Sequence, residues 1–323
     1  MWNFSFRRSL SLMRQTMPFV LLRMAVYFGV ALAWVLVTGT GAGLGWGIGA
    51  LGDDDFRATA TFSGGAIGFI IVAIAVYWVR EYLLYLVKAG HIAVMVELID
   101  DRPMPEGRSQ IDHAQAMVRE RFGEANVLFA VDQLVKGVLR TITGLIRGMF
   151  TVVPIPAVRQ LTTIVQAFLR IAVGFIDEVI LAYGMRTRAT NPWESARTAL
   201  VLYGQNYAPM LKNAAWITLF VYGLTLLMFF IMLAPAALVA NLYPGGMSAL
   251  GVVLAVVFAW SVKVALIEPL AVACLLQAYF RTIEGQKPDP AWEQKLEGMS
   301  GRFRDLKARA VQAAPKVGSP AQN

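Results

Sequence analysis

Polar and apolar positions fall in long blocks along this chain. Met24 to Gly52 and Asn213 to Val262 contain no charged residue, and Phe62 to Val79 is a third apolar run between Arg57 and Arg80. A bilayer crossing takes about 20 apolar residues, so the first and third runs hold one spanning helix each. The long run holds two, turning at "NLYPGG" (241–246). The pattern predicts an all-α polytopic integral membrane protein with about four transmembrane helices in two hairpins, 24–79 and 213–280.

Between the hairpins, from residue 80 to 212, charges are threaded through apolar sequence. "REYLLYLVKAGHIAVMVELIDD" (80–101) reads as an amphipathic helix continuing from the second span and ending at "DRPMPEG". In "VLFAVDQLVKGVLRTITGLIRGMF" (127–150), Asp132, Lys136 and Arg140 recur every four residues, with apolar positions around the rest of the helix. That is the pattern of a helix lying along a bilayer surface. The prolines of "TVVPIPAVRQ" (151–160) interrupt it.

Beyond them Arg159, Arg170 and Asp177 share one helical face. The stretch 145–185 admits two placements, interfacial or re-entrant. A full crossing would submerge Arg170, Asp177 and Glu178 at about 2.5–3.5 kcal/mol each, which favours the interfacial one. If the stretch is inserted, these three become a polar path.

Two helix starts are marked. Asn191 stands as N-cap with Pro192 in the first turn and Glu194 three residues on; Asp289 and Pro290 repeat the arrangement. After the second start, Trp292, Leu296, Met299, Phe303, Leu306 and Ala310 form a short heptad stripe. The stripe can join two copies or a protein partner through 290–310, or pack on the chain's own cytoplasmic face. Residues 313–323 are too polar and proline-rich to fold.

Glycine is the most conspicuous residue of the first span. "TGTGAGLGWGIGALGDDD" (38–55) contains a formal G-x-G-x-x-G, but no strand precedes it and three aspartates stand where a pyrophosphate would sit. Gly39, Gly43 and Gly47 form one row at four-residue spacing and Gly41, Gly45 and Gly49 another. Such rows let spanning helices approach backbone to backbone. The expected partner is "SGGAIG", with Gly64, Gly65 and Gly68. So many glycines also allow a break or a widened cavity mouth near 45–49. Asp53 to Asp55 read as a solvated turn.

Composition supports the membrane assignment: 57% hydrophobic residues, 15% charged and a mean hydropathy of +0.56 are too apolar for a soluble domain. Orientation follows the basic residues. Arg7, Arg8, Arg14 and Arg23 precede the first span without an acid, the loop after it holds Asp53, Asp54 and Asp55, and eight basic residues follow Phe280. The N-terminal segment reads as an uncleaved anchor, and both termini are expected on the cytoplasmic side of a plasma (inner) membrane. The basic surface suits anionic lipid headgroups, and no basic domain stands clear for nucleic acid.

Catalytic chemistry finds no foothold. His91 and His113 are the only histidines and lack metal-ligand spacing, and there is no G-x-S-x-G, no phosphate loop and no paired-acid constellation. The sequence therefore reads as neither an enzyme nor a holder of cofactor or metal. Cys274, alone in an apolar stretch, is a packing residue. The last apolar block (248–281) exceeds one bilayer and contains Lys263, Glu268 and Pro269. It reads either as a helix leaving the bilayer and bending at the proline, or as a buried ionic element of a transport path.

One segment supports a comparison. In "ALVLYGQNYAPMLKNAAWITL" (199–219), Tyr203, Gly204, Asn206, Tyr207, Lys212, Asn213 and Ala214 match a YG-x-N-[FY] segment followed by KNA before a membrane helix. This resembles the late region of the choline transporter-like family. The likeness covers those twelve residues, and the chain lacks the family's large external loop. The resemblance implies transport of choline-like or ethanolamine-like solutes. A choline site wants an aromatic cage, for which Trp34, Trp46, Tyr77 and Trp78 are available. Two readings stand: a transporter of a small cationic or zwitterionic solute using Arg170, Asp177, Glu178, Lys263 and Glu268, or a non-transporting scaffold that holds lipids and partners.

Overall fold

The computed structural model describes residues 2–79, 85–102, 104–105, 107–122, 125–151, 175–242 and 248–313. Arg159, Arg170, the prolines of 151–160, the "YPGG" turn and the tail from 314 lie outside the described residues. Within them the protein is all-α. Its helices are α1 (Phe6–Gln15), α2 (Met17–Gly49), α3 (Asp54–Val79), α4 (Tyr85–Ile99), α5 (Gln110–Phe122), α6 (Ala125–Thr151), α7 (Ile176–Arg186) and α8 (Pro192–Gln205). Then come α9 (Tyr207–Ala240), α10 (Ser248–Val262), a π-turn (Lys263–Ile267), α11 (Glu268–Thr282), α12 (Pro290–Met299) and α13 (Gly301–Gln312).

Among the described residues, four helical stretches are long and apolar enough to cross a membrane: Met17–Gly49, Asp54–Trp78, Tyr207–Ala240 and Gly251–Thr282. They carry exposed Leu32, Leu36, Ile67, Ile70, Phe230 and Leu238, side chains that only lipid covers at low cost. The chain divides into two compact units: a span unit, Met13–Lys88 with Leu219–Ala271, and a helical unit, Met1–Leu12 with Ala89–Thr218 and Val272–Asn323.

In the span unit, α2 and α3 form a tight hairpin. Gly41 and Gly64 face each other: a Cβ on either would sit 2.2 or 2.1 Å from the other's carbonyl oxygen. Gly45 lies against Ala60, Gly49 against Arg57 and Gly68 against Val37, while Gly65 keeps ordinary contact with Ala42. The second glycine row is not part of this seam. Gly43 and Gly47 meet nothing within 4 Å, and Gly39 is half-buried. Nor does the glycine content break the helix, since α2 runs without interruption to Gly49. Asp53 acts as a cap, its Oδ1 accepting from the Phe56 amide at 2.7 Å.

α10 runs antiparallel along α2. Tyr27 meets Trp260, Trp34 clusters with Val257, and Ala42 with Leu254 and Ala255. Trp34 also lies 5.5 Å from the Phe69 ring and 6.0 Å from Trp260, and its indole N–H donates to the Phe69 carbonyl at 3.2 Å. These rings fill the interior of the hairpin pair.

The helical unit departs from the sequence expectation in two places. α4 is not amphipathic: from Ala89 to Glu97 every residue is buried, His91 and Glu97 included, because neighbours surround the helix on all sides. α6, over its described side chains, packs its apolar side on protein. Val131, Leu134, Val135, Val138 and Leu139 pack with Ile176 and Ile180 of α7, Ala199 and Leu200 of α8, and Leu296, Phe303 and Leu306 of α12 and α13. Its charged stripe also points inward at Asp132, which is buried and pairs with Lys136 at 2.6 Å.

Both marked helix starts hold. Asn191 Oδ1 accepts from the amides of Trp193 and Glu194, and Asp289 Oδ1 from that of Ala291. The heptad stripe is cut at Ser300, whose side chain caps α13 through the Phe303 amide. Leu296, Phe303, Leu306 and Ala310 are buried in the chain's own unit, so those positions are already covered. On the outer side Glu293 and Glu297 hydrogen-bond Lys307, and those bonds raise its ammonium above the usual lysine range.

Candidate functional site

The polar feature of the span unit grows out of Pro269. At the π-turn the backbone changes register: the Glu268 amide donates to the Lys263 carbonyl, five residues back. The same register would give the Val264 carbonyl to residue 269, and a proline there has no N–H to offer. A carbonyl inside a spanning segment cannot turn to water instead. Arg23 of α2 supplies the donor. Its Nη2 reaches the Val264 oxygen at 2.8 Å, and the residue is only 5% exposed.

Beside it Lys263 Nζ donates to Glu268 Oε1 at 2.8 Å, an i,i+5 pair that the π register brings into line. The site thus gathers two cations and one carboxylate around a break in the last span. Arg23 was counted in the sequence only as one of four basic residues before the first span. The one signal that bears on it is Pro269, whose missing N–H leaves a carbonyl of the span to be satisfied from elsewhere, without saying by which residue.

Of the other sequence-selected charges, Asp177 and Glu178 lie in the helical unit, and Arg170 is outside the described residues. Asp177 is buried on α7, 3.9 Å from Lys136 Nζ, and Glu178 beside it is 3% exposed. Asp177 and Glu178 therefore belong to one unit, and Lys263 and Glu268 to the other. The aromatic set does not gather. Trp34 is enclosed by Phe69 and Trp260, Trp46 follows twelve residues later on α2, about 18 Å along the axis, and Tyr77 and Trp78 are exposed.

The family-like residues have structural work to do. Asn206 ends α8, its Nδ2 donating to Leu202 O at 2.9 Å and to Gln286 Oε1 at 2.7 Å. Asn213 Oδ1 accepts from the Asn3 amide at 2.8 Å, and its Nδ2 donates to the Pro209 carbonyl. Gly204 lets Trp292 approach to 3.4 Å of where a Cβ would sit, and Trp292 also meets Tyr207. Ala214 is buried and Lys212 exposed.

Tyr203 stacks on Tyr279, whose hydroxyl donates to the Ala199 carbonyl at 3.2 Å. Burial pushes the Tyr203 phenol well above the usual tyrosine value; burial and then the Glu194 carboxylate raise Tyr183. The folded protein therefore keeps protons that the unfolded chain releases above about pH 10, so stability falls as pH rises past that point. Tyr203→Phe is expected to flatten that fall, measured as the thermal midpoint between about pH 9 and 11. An unchanged slope would show that Tyr203 titrates as it does in water.

Comparisons with family models, with curated proteins and with solved structures find no match to this chain. What the fold defines is a class: an all-α polytopic membrane protein, with four apolar, span-length helices among the described residues.

Proposed function

We propose that this membrane protein is transporter-like and moves a small cationic or zwitterionic solute, with the break at Lys263–Ile267 as its polar element. The observation that carries this reading is the cluster of Arg23, Lys263 and Glu268 around a carbonyl orphaned by Pro269. Ionisable groups inside a span are costly and are retained for function, and interrupted spanning helices are where transporters coordinate their cargo. The twelve-residue likeness to the choline transporter-like family supports the solute class. The excess of basic residues before the first span and after the last supports a plasma (inner) membrane with both termini in the cytoplasm, against anionic lipid. The reading includes no catalysis, cofactor or nucleic acid.

The test is uptake of choline, ethanolamine and glycine betaine into proteoliposomes. Wild type is expected to accumulate at least one of them. Glu268→Gln, which leaves Lys263 without its counter-charge, should lose about tenfold in rate. A matched thermal midpoint for the two proteins keeps the comparison on transport. Absence of uptake across the panel overturns the reading and favours a scaffold that holds lipids. That second reading has its own support: the α2–α3 seam is closed by backbone contact and leaves no room for a solute.

A further inference from the structure

The helical unit contains a cavity of about 590 Å³ with Asp100 and Glu284 in its lining. Two helix ends deliver cations to it. α4 ends through Asp101 at φ 52°, where Arg102 N–H closes back on Glu97 O at 2.9 Å; α7 ends through Arg188 at φ 51°, where Ala189 N–H closes on Gly184 O at 3.2 Å. Glycine is the usual residue at such left-handed closures, and two side-chain-bearing residues held there beside one cavity mark a place where geometry is imposed.

The outcome is a fixed guanidinium. Arg186 donates from Nε at 3.0 Å and from Nη2 at 2.8 Å to Asp100, and its plane lies 4.3 Å from the Phe280 ring centroid. Arg102 bridges Asp100 at 3.0 Å and Glu97 at 2.8 Å. These bonds leave the Nη1 donors of Arg186 without a protein partner among the described residues. Glu284 also lines the cavity, is exposed, and makes no ion pair among the described residues.

Charge decides what fits. Asp100 and Glu97 already balance Arg102 and Arg186, so a bare anion would meet a neutral wall and an uncompensated Glu284. A bare cation would find the Phe280 face occupied by Arg186. We propose that the cavity binds a small zwitterion, its carboxylate or phosphate oxygens on Arg186 Nη1 and its ammonium group toward Glu284. The ligand is either a free solute or the headgroup of a zwitterionic lipid. The proposal concerns the helical unit alone and does not depend on transport through the span unit.

Titration calorimetry of the full-length protein with phosphoethanolamine, inorganic phosphate and ethanolamine tests it. Phosphoethanolamine is expected to bind at least about tenfold tighter than either half-ligand. Glu284→Gln, an exposed change that spares the fold, should weaken phosphoethanolamine about fivefold and leave phosphate equal or tighter, since it removes a like charge. In nanodiscs, loss of phosphoethanolamine binding when phosphatidylethanolamine replaces phosphatidylglycerol identifies the lipid source, and persistence in both identifies a free solute. Phosphoethanolamine binding no tighter than phosphate, or indifferent to Glu284→Gln, overturns the proposal.

Discussion

Gly45→Ala will loosen the first hairpin, while Gly47→Ala, two residues away on the same helix, will not. A Cβ at Gly45 would lie 2.1 Å from the Ala60 carbonyl oxygen and 3.0 Å from the Thr61 Cα, both rigid backbone, so α2 and α3 must move apart. Two spanning helices in lipid are held by close contact rather than by exclusion of water, so a small separation forfeits much of the attraction. Overpacking of this kind costs about 1–3 kcal/mol per site. At Gly47 a Cβ meets nothing within 4 Å, and alanine gains up to about 1 kcal/mol in helix propensity.

The pair is read out by thermal unfolding in one detergent, with a lower midpoint for Gly45→Ala and an equal or higher one for Gly47→Ala. Gly41→Ala and Gly64→Ala should each behave like Gly45→Ala. Because they face each other, their combined cost should differ from the sum of the two. Equal midpoints for Gly45→Ala and Gly47→Ala would mean that the seam does not hold the hairpin.

This contrast also separates what the sequence could say from what it could not. The spans were legible because twenty-odd uncharged residues have few other uses, and the helix starts because Asn191 and Asp289 cap in any context. Which glycine row formed the seam was not legible, since Gly43 and Gly41 differ only in which side of α2 meets α3. α4 and the described side chains of α6 depart from the expectation for one shared reason. Periodicity reports that a helix has an apolar face but not whether protein or lipid covers it, and Asp132 points inward because Lys136 accompanies it. Of the candidate site, Lys263 and Glu268 were visible as charges in an apolar block. Arg23 was hidden because its partner is a backbone carbonyl, which has no letter in the sequence.

Arg23→Met will destabilise the span unit, and Pro269→Ala will restore much of the loss. Methionine keeps the apolar stem and removes the donor, leaving the Val264 carbonyl unpaired in a segment that water does not reach. An unsatisfied buried carbonyl costs about 1–3 kcal/mol. Alanine at 269 returns a backbone N–H at the position that the π register assigns to Val264, so the carbonyl regains a partner without Arg23. The two changes should therefore couple, the double variant lying above the midpoint expected from adding the single effects. Lysine at 23 is expected to rescue only in part, because its ammonium is a point donor on a different stem and lacks the planar fork that reaches the turn from α2. Simple additivity of Arg23→Met and Pro269→Ala would break the link between the arginine and the proline, and with it the account of why a charge is kept at that depth.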